Sequence, residues 1–130
     1  MTFDAIGIAG SALTVNRKWL DAISDNIANV NTARRTAEAA FQARYVQVEA
    51  AEGTGGVFVK ADLYGSAEGR LFYDPSNPLA DEDGLVRMPD IDLAQQMSAL
   101  IIAQRAYAAN AAVVDRARET YLAGLQIGRG

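Results

Sequence analysis

The chain has no cysteine and no histidine. Disulfides, thiolate nucleophiles, imidazole acid–base catalysis and nearly every zinc or haem site are thereby excluded. Lysine is almost absent: Lys18 and Lys60 are the only two, and the formal charge is −4, which argues against nucleic acid as a partner. The three prolines, Pro75, Pro78 and Pro89, all lie in one short stretch, so both ends of the chain are free of the residue that most strongly breaks helices. The longest apolar run near the start, residues 5–15, is too short for a bilayer, which needs ~20 residues. It also lacks the basic flank and cleavage site of a removable secretory signal. No transmembrane segment is expected, and export, if it occurs, proceeds without a cleavable signal peptide.

What is present is a chain of 130 residues, half of them apolar, the size of one ordinary domain. Charge is unevenly spread. Residues 45–90 hold nine acidic side chains against three basic ones, while the alanine-rich flanks are each close to neutral. From Ile6 a seven-residue repeat emerges, with Ile6, Leu13, Leu20 and Ile27 in one row and Ala9, Asn16, Ile23 and Val30 in the next. Such rows share one side of a helix and suit packing against another helix. A helix over about residues 3–30 is predicted, ended by Asn29, Asn31 and Thr32, whose side chains favour turns.

The far end repeats the pattern. Leu93, Leu100, Tyr107, Val114 and Tyr121 recur every seven residues, with Met97, Gln104, Ala111, Arg118 and Leu125 four positions on. A helix over about 91–127 is predicted, with Asp90 or Asp92 as its cap. Its many alanines make a slim rod suited to being surrounded by other helices. Between the ends, Tyr45–Val48 alternates like a strand, Val57–Val59 with Leu63 and Tyr64 forms a second β-rich stretch, and Leu71–Tyr73 a third. Residues 74–84 are dense in turn formers. The surroundings of Arg34, Arg35 and Arg44 carry no clear pattern. The fold class is therefore mainly α: two long terminal helices in a discontinuous, coiled-coil-like helical hairpin, residues 1–32 and 91–130, around a small β-rich or extended segment, residues 33–90.

No catalytic residue, cofactor or metal site is expected, and the chain does not read as an enzyme. Glycine-rich phosphate loops and serine nucleophile elbows are missing. Aligning Asp83-Gly84 with a calcium loop leaves Leu79 in place of the first ligand.

Gly10-Ser11-Ala12-Leu13 followed by residues 23–32 (ISDNIANVNT) resembles the opening signature of the bacterial flagellar axial proteins, the rod, hook and hook-associated subunits. Residues 97–110 (MSALIIAQRAYAAN) resemble that family's closing helix. Residues 73–81 (YDPSNPLAD) and 84–92 (GLVRMPDID), with the short total length, are similar to the proximal-rod branch. This resemblance implies a structural subunit of the flagellar basal-body rod in the periplasm, exported through the flagellar type III apparatus, with its terminal helices lining the inner tube. Partners would be copies of itself, other proximal and distal rod subunits, and basal-body proteins at the rod base. Subunit packing would fall on Ile6, Leu13, Leu20, Ile23, Ile27 and Val30 of the first helix. On the second it would fall on Leu93, Met97, Leu100, Tyr107, Val114, Tyr121 and Leu125. Family-motif contacts would be Asn26, Asn29, Asn31, Asp74, Pro75, Asn77, Pro78, Asp81 and Asn110; for the three N-terminal asparagines, local capping and contacts between subunits stay open. The other readings are a sibling rod subunit and an unrelated helical-hairpin adaptor.

Overall fold

The computed structural model describes residues 2–53 and 55–130, and for residues 2 and 3 the backbone alone. Two helices enclose four strands in chain order: α1 (Thr2–Asn29), β1 (Arg44–Ala50), β2 (Val57–Tyr64), β3 (Arg70–Tyr73), β4 (Leu85–Met88) and α2 (Leu93–Gly128). The class is mainly α with a small β insertion, as the sequence predicts.

The seven-residue repeat that begins in α1 marks the side covered by the chain itself, so Ile23 and Val30, expected at subunit contacts, are spent inside the chain. Ala9, Asn16, Ile23 and Val30 are all buried, and Ile6, Leu13, Leu20 and Ile27 are half-buried beside them. The helix ends in side-chain bonds. Asn29 Nδ2 donates to the Asp25 carbonyl at 2.8 Å, and the Thr32 hydroxyl donates to Asn29 Oδ1 at 3.1 Å.

The start of α2 is capped by Asp92, whose Oδ1 accepts the Gln95 N–H at 3.2 Å; Asp90 is exposed and takes no such role. Burial on α2 does not follow its apolar rows. Leu93, Met97, Tyr107, Tyr121 and Leu125 are exposed, Leu100 and Val114 are half-buried, and the fully buried residues are Gln96 and Ala103. Asn110 and Ala117, seven and fourteen residues after Ala103, are half-buried. The repeat is thus still seven, but the small and amide-bearing residues face the chain. Among the described residues α2 is also long and apolar enough to cross a membrane by length and composition, where no such segment was expected from the sequence.

The strands form two two-stranded sheets, β1 with β2 and β3 with β4. The second is antiparallel, with Leu71 opposite Arg87 and Tyr73 opposite Leu85. β2 spans the whole of the second β-rich stretch expected from the sequence. β4 was not anticipated, because Leu85-Val86-Arg87-Met88 lacks a strict polar–apolar alternation. The unpatterned stretch near Arg34 bridges to β4: the Arg34 N–H donates to the Arg87 carbonyl at 2.8 Å, and the Arg87 N–H donates back at 2.9 Å.

The chain resolves into two compact units, each built from separated segments. The first unit comprises Met1–Leu20, Val46–Ala61 and Ile101–Gly130. In it the Val57 N–H at the start of β2 donates to Ser11 Oγ on α1 at 3.0 Å. The second unit comprises Asp21–Tyr45 and Asp62–Leu100. Its core is small: Val30, Ala43 and Ile91 with Phe41 against them, and the fully buried Val86 and Pro89 nearby.

Two glycines give opposite expectations. Gly69 has φ +58°, and a Cβ there would run into the Met88 carbonyl and Ala40. Gly69→Ala should destabilise the chain by about 2 kcal/mol or more. Gly10 lies inside α1 with open space around its Cβ position, so Gly10→Ala should stabilise by about 0.5–1 kcal/mol. Urea midpoints followed by circular dichroism measure both.

Candidate assembly surface

The site residues named from sequence divide into those spent inside the chain and those left at its surface. Asn26 is the most deeply spent, only 1% exposed. Its Nδ2 donates to the Arg44 carbonyl at 2.9 Å and to Gln96 Oε1 at 3.1 Å, while its Oδ1 accepts the Arg44 N–H at 2.7 Å. One amide therefore pairs with both backbone groups of Arg44, as a neighbouring strand would, and also holds the first turns of α2. Neither a local cap nor an exposed contact, Asn26 joins three segments of the chain. Beside it the Arg44 guanidinium reaches Asp25 in a half-exposed ion pair. Gln96 and Arg44 were not among the residues singled out from sequence. An amide facing a polar seam position offers no hydropathy contrast, so only coordinates reveal it.

The turn-rich stretch 74–84 closes on itself through two aspartates. Asp74 accepts the Ser76 hydroxyl at 2.7 Å and Asn77 Nδ2 at 3.3 Å, and Asn77 Oδ1 accepts the Leu79 N–H. Asp81 Oδ1 accepts the N–H groups of Leu85 and Asp83, at 2.9 and 3.0 Å, and its Oδ2 accepts the Thr36 hydroxyl at 2.9 Å. These bonds stabilise the charged carboxylates and hold both groups below the ordinary aspartate value of 3.8, Asp74 chiefly through Ser76 and Asp81 chiefly through Leu85. Gly84, at φ +74°, lets the loop return under the Tyr73 ring. Pro75 and Pro78 remain exposed. Arg87 completes the frame: its guanidinium donates to the carbonyls of Thr36 and Glu68. The loop's acids thus anchor turns.

The remaining named residues sit at or near the surface. Asn31 is exposed at a cleft of about 440 Å³ that Val30, Arg70, Asp90, Ile91, Asp92 and Leu93 also line. Asn110 is half-buried and donates to the Ala106 carbonyl, a bond internal to α2. Along α2, Met97, Ile101, Ile102, Val113, Leu122 and Leu125 are all between 46% and 58% exposed. Every residue from 118 to 130 is exposed. Large apolar side chains on several sides of one helix form a surface suited to other helices, with no convergent polar groups for a small ligand.

Comparison with known proteins agrees with this picture. Residues 6–34 match the family model described as flagella basal body rod protein, and residues 82–127 match that of the flagellar basal body rod FlgEFG protein C-terminal. The flagellar basal-body rod protein FlgC of Salmonella typhimurium is 37% identical over 126 residues, covering 94% of each chain. The FlgC of Borreliella burgdorferi is 30% identical and that of Bacillus subtilis 26% identical, each alignment covering 98% of both chains.

Two outcomes test the geometry. Asn26→Ala strands the amide and carbonyl of Arg44 and the Gln96 side chain, and should cost about 2–3 kcal/mol in urea unfolding. Asp81 is depressed in the folded chain, so its stabilisation is complete above the unfolded value near 3.8 and disappears as pH falls through the folded one. The Leu85 amide resonance should therefore hold its shift through mildly acidic pH. It should move with a midpoint below 3.8, and Asp81→Asn should abolish that transition.

Proposed function

The chain belongs to the FlgC family of flagellar basal-body rod proteins, and we propose that it is a structural subunit of the proximal rod. In this reading it forms part of the drive shaft that transmits motor torque and encloses the export channel. Membership of the family carries assembly with other rod and basal-body proteins and a place in the flagellar basal body. Copies of the chain, the other proximal and distal rod subunits and the proteins at the rod base are the neighbours we assign to it. Residues 1–32 and 91–130 are the inner-tube domain of this proposal, and residues 33–90 its outer segment. Export through the flagellar type III apparatus without a cleavable signal, and a periplasmic position, complete it. The chain has no catalytic role in this scheme.

The observation that carries the reading is the reversal of burial on α2. Most of its large apolar residues are exposed, with Leu100 and Val114 half-buried, while Gln96 and Ala103 face the chain, which is the pattern of a helix whose partners are other subunits. A bilayer is the other medium that accepts such a surface. It is disfavoured by Arg105, Asp115, Arg116, Arg118 and Glu119 along the same helix, since each charge is costly in lipid.

Met97→Asp with Leu125→Asp tests this directly. Both side chains are nearly half exposed, so the isolated variant should lose no more than about 2 kcal/mol in urea unfolding. The same variant should abolish motility and be missing from purified basal bodies, because its charges would be buried unpaired between subunits. Normal rods built from it would refute the packing argument.

A further inference from the structure

The strand β3 is the open edge of its sheet. The Asp74 N–H donates to the Gly84 carbonyl at 2.9 Å, and both backbone groups of Arg87 are taken by Arg34, on the side of β4 away from β3. Leu71 stands opposite Arg87 and Phe72 opposite Val86. The antiparallel alternation then makes Arg70 and Phe72 the residues bonded to β4, and turns the N–H and C=O groups of Leu71 and Tyr73 outward. Among the described residues no backbone group of another segment meets them, and no strand lies beyond β3.

The side chains agree with an unfinished sheet. Phe72 shares the face of Val86, which is fully buried, yet Phe72 is 50% exposed. On the other face Leu71 and Tyr73 are 55% and 67% exposed. Natural edge strands are defended by lysine, proline, a bulge or a cover. β3 is exposed throughout and carries only Arg70, at its first position.

Residues 70–74, Arg-Leu-Phe-Tyr-Asp, complement themselves when reversed. Let a second β3 lie antiparallel to the first, with Phe72 opposite its own copy. The outward groups of Leu71 then meet those of Tyr73, twice over, in four backbone hydrogen bonds. Arg70 stands opposite Asp74 at both ends. Arg70 spends only its Nε within the chain, on the Pro89 carbonyl, and Asp74 is held ionised by Ser76 and Asn77. The two Phe72 rings meet on one face and Leu71 lies beside Tyr73 on the other, pairings that stabilise sheets.

We propose that β3 is a self-pairing edge, through which two copies of the chain join into one four-stranded antiparallel sheet in the order β4–β3–β3–β4. The contact is two-fold and closes. Each outer strand of the joined sheet is already bridged by Arg34, so the pairing removes an edge that would otherwise template uncontrolled association. Four residues of strand cover less than the ~1,000 Å² of a stable interface, so the pair is transient, dissociating at about 0.1–1 mM. A rod whose subunits all point one way repeats no two-fold contact. The pairing therefore belongs to the chain outside the rod, and it does not rest on the rod reading.

The absence of native cysteine allows the register to be read in the purified full-length chain. Phe72→Cys brings two thiols to a Cα separation of about 4.5 Å, within reach of a disulfide. Leu71→Cys or Tyr73→Cys alone leaves them about 7–8 Å apart on the diagonal, beyond that reach. Mild oxidation should link Phe72→Cys chains, link Leu71→Cys to Tyr73→Cys in a mixture, and leave either of these alone monomeric. Arg70→Glu added to Phe72→Cys sets like charges opposite Asp74 and should lower the linked yield about tenfold. In the unmodified chain, hydrogen exchange at the Leu71 and Tyr73 amides should slow about twofold on concentration to ~1 mM. Equal linking by all three single variants, no linking by Phe72→Cys, a yield indifferent to Arg70→Glu, or exchange indifferent to concentration would overturn the pairing.

Discussion

The second unit depends on one side-chain amide. Asn26 occupies the position a strand residue would, accepting from and donating to the backbone of Arg44, and its remaining N–H goes to Gln96. These partners lie 18 and 70 residues away in sequence. The buried apolar side chains of this unit, Ala22, Ile23, Val30, Ala40, Ala43, Val86 and Ile91, are mostly small, and contacts of that kind do little to fix the approach of α1, β1 and α2 in direction. Hydrogen bonds are directional where apolar contacts are not. In a dry site they hold one arrangement, because any slip strands a buried donor or acceptor. The half-exposed Arg44–Asp25 pair lies alongside and is the weaker partner, as solvent-screened ion pairs are.

Much of α1 was legible because its repeat carries contrast: Ile23 and Val30 stand out among polar neighbours, and the row they share with Ala9 and Asn16 is the buried one. On α2 the period was legible and the phase was not. Its alanines are too small and too numerous to mark a face, so the eye follows Leu93, Met97 and Tyr107, which are the exposed residues. Phase here is set by how closely another segment approaches, and a close approach selects Ala103 over leucine. β4 escaped notice for a related reason. Both faces of Val86 and its neighbours are covered or half covered, and such a strand shows no alternation. The partners of Asn26 were invisible in principle, since nothing local ties residue 26 to residues 44 and 96.

The acidic middle shows how composition can mislead about chemistry. Asp74 and Asp81 are engaged by hydroxyls and N–H groups within a few residues, apart from Thr36. They hold a loop in shape, with Gly84 supplying the left-handed backbone the return needs. Arg87 works in the same currency, binding backbone carbonyls of two other segments. These bonds leave the side chains charged, so Asp81, Glu82 and Asp83 face outward together as an acidic surface on a scaffold fixed by backbone bonds.

The distribution of apolar area ties folding to assembly. Fully burying a leucine, isoleucine or methionine contributes about 1.5–3 kcal/mol. Met97, Ile101, Ile102, Val113, Leu122 and Leu125 are each about half exposed. Each therefore retains about 1 kcal/mol that the isolated chain cannot collect, or about 6 kcal/mol together. That sum rivals the whole stability of a small domain, about 5–15 kcal/mol. It is released only when another surface covers α2. The most C-terminal turns, with every residue exposed from 118 onward, have the least to hold them before that happens, since an uncovered helix of this length is marginal in water. A chain arranged in this way gains much of its order from its neighbours, so the rod it builds is also the condition under which its helices are stable.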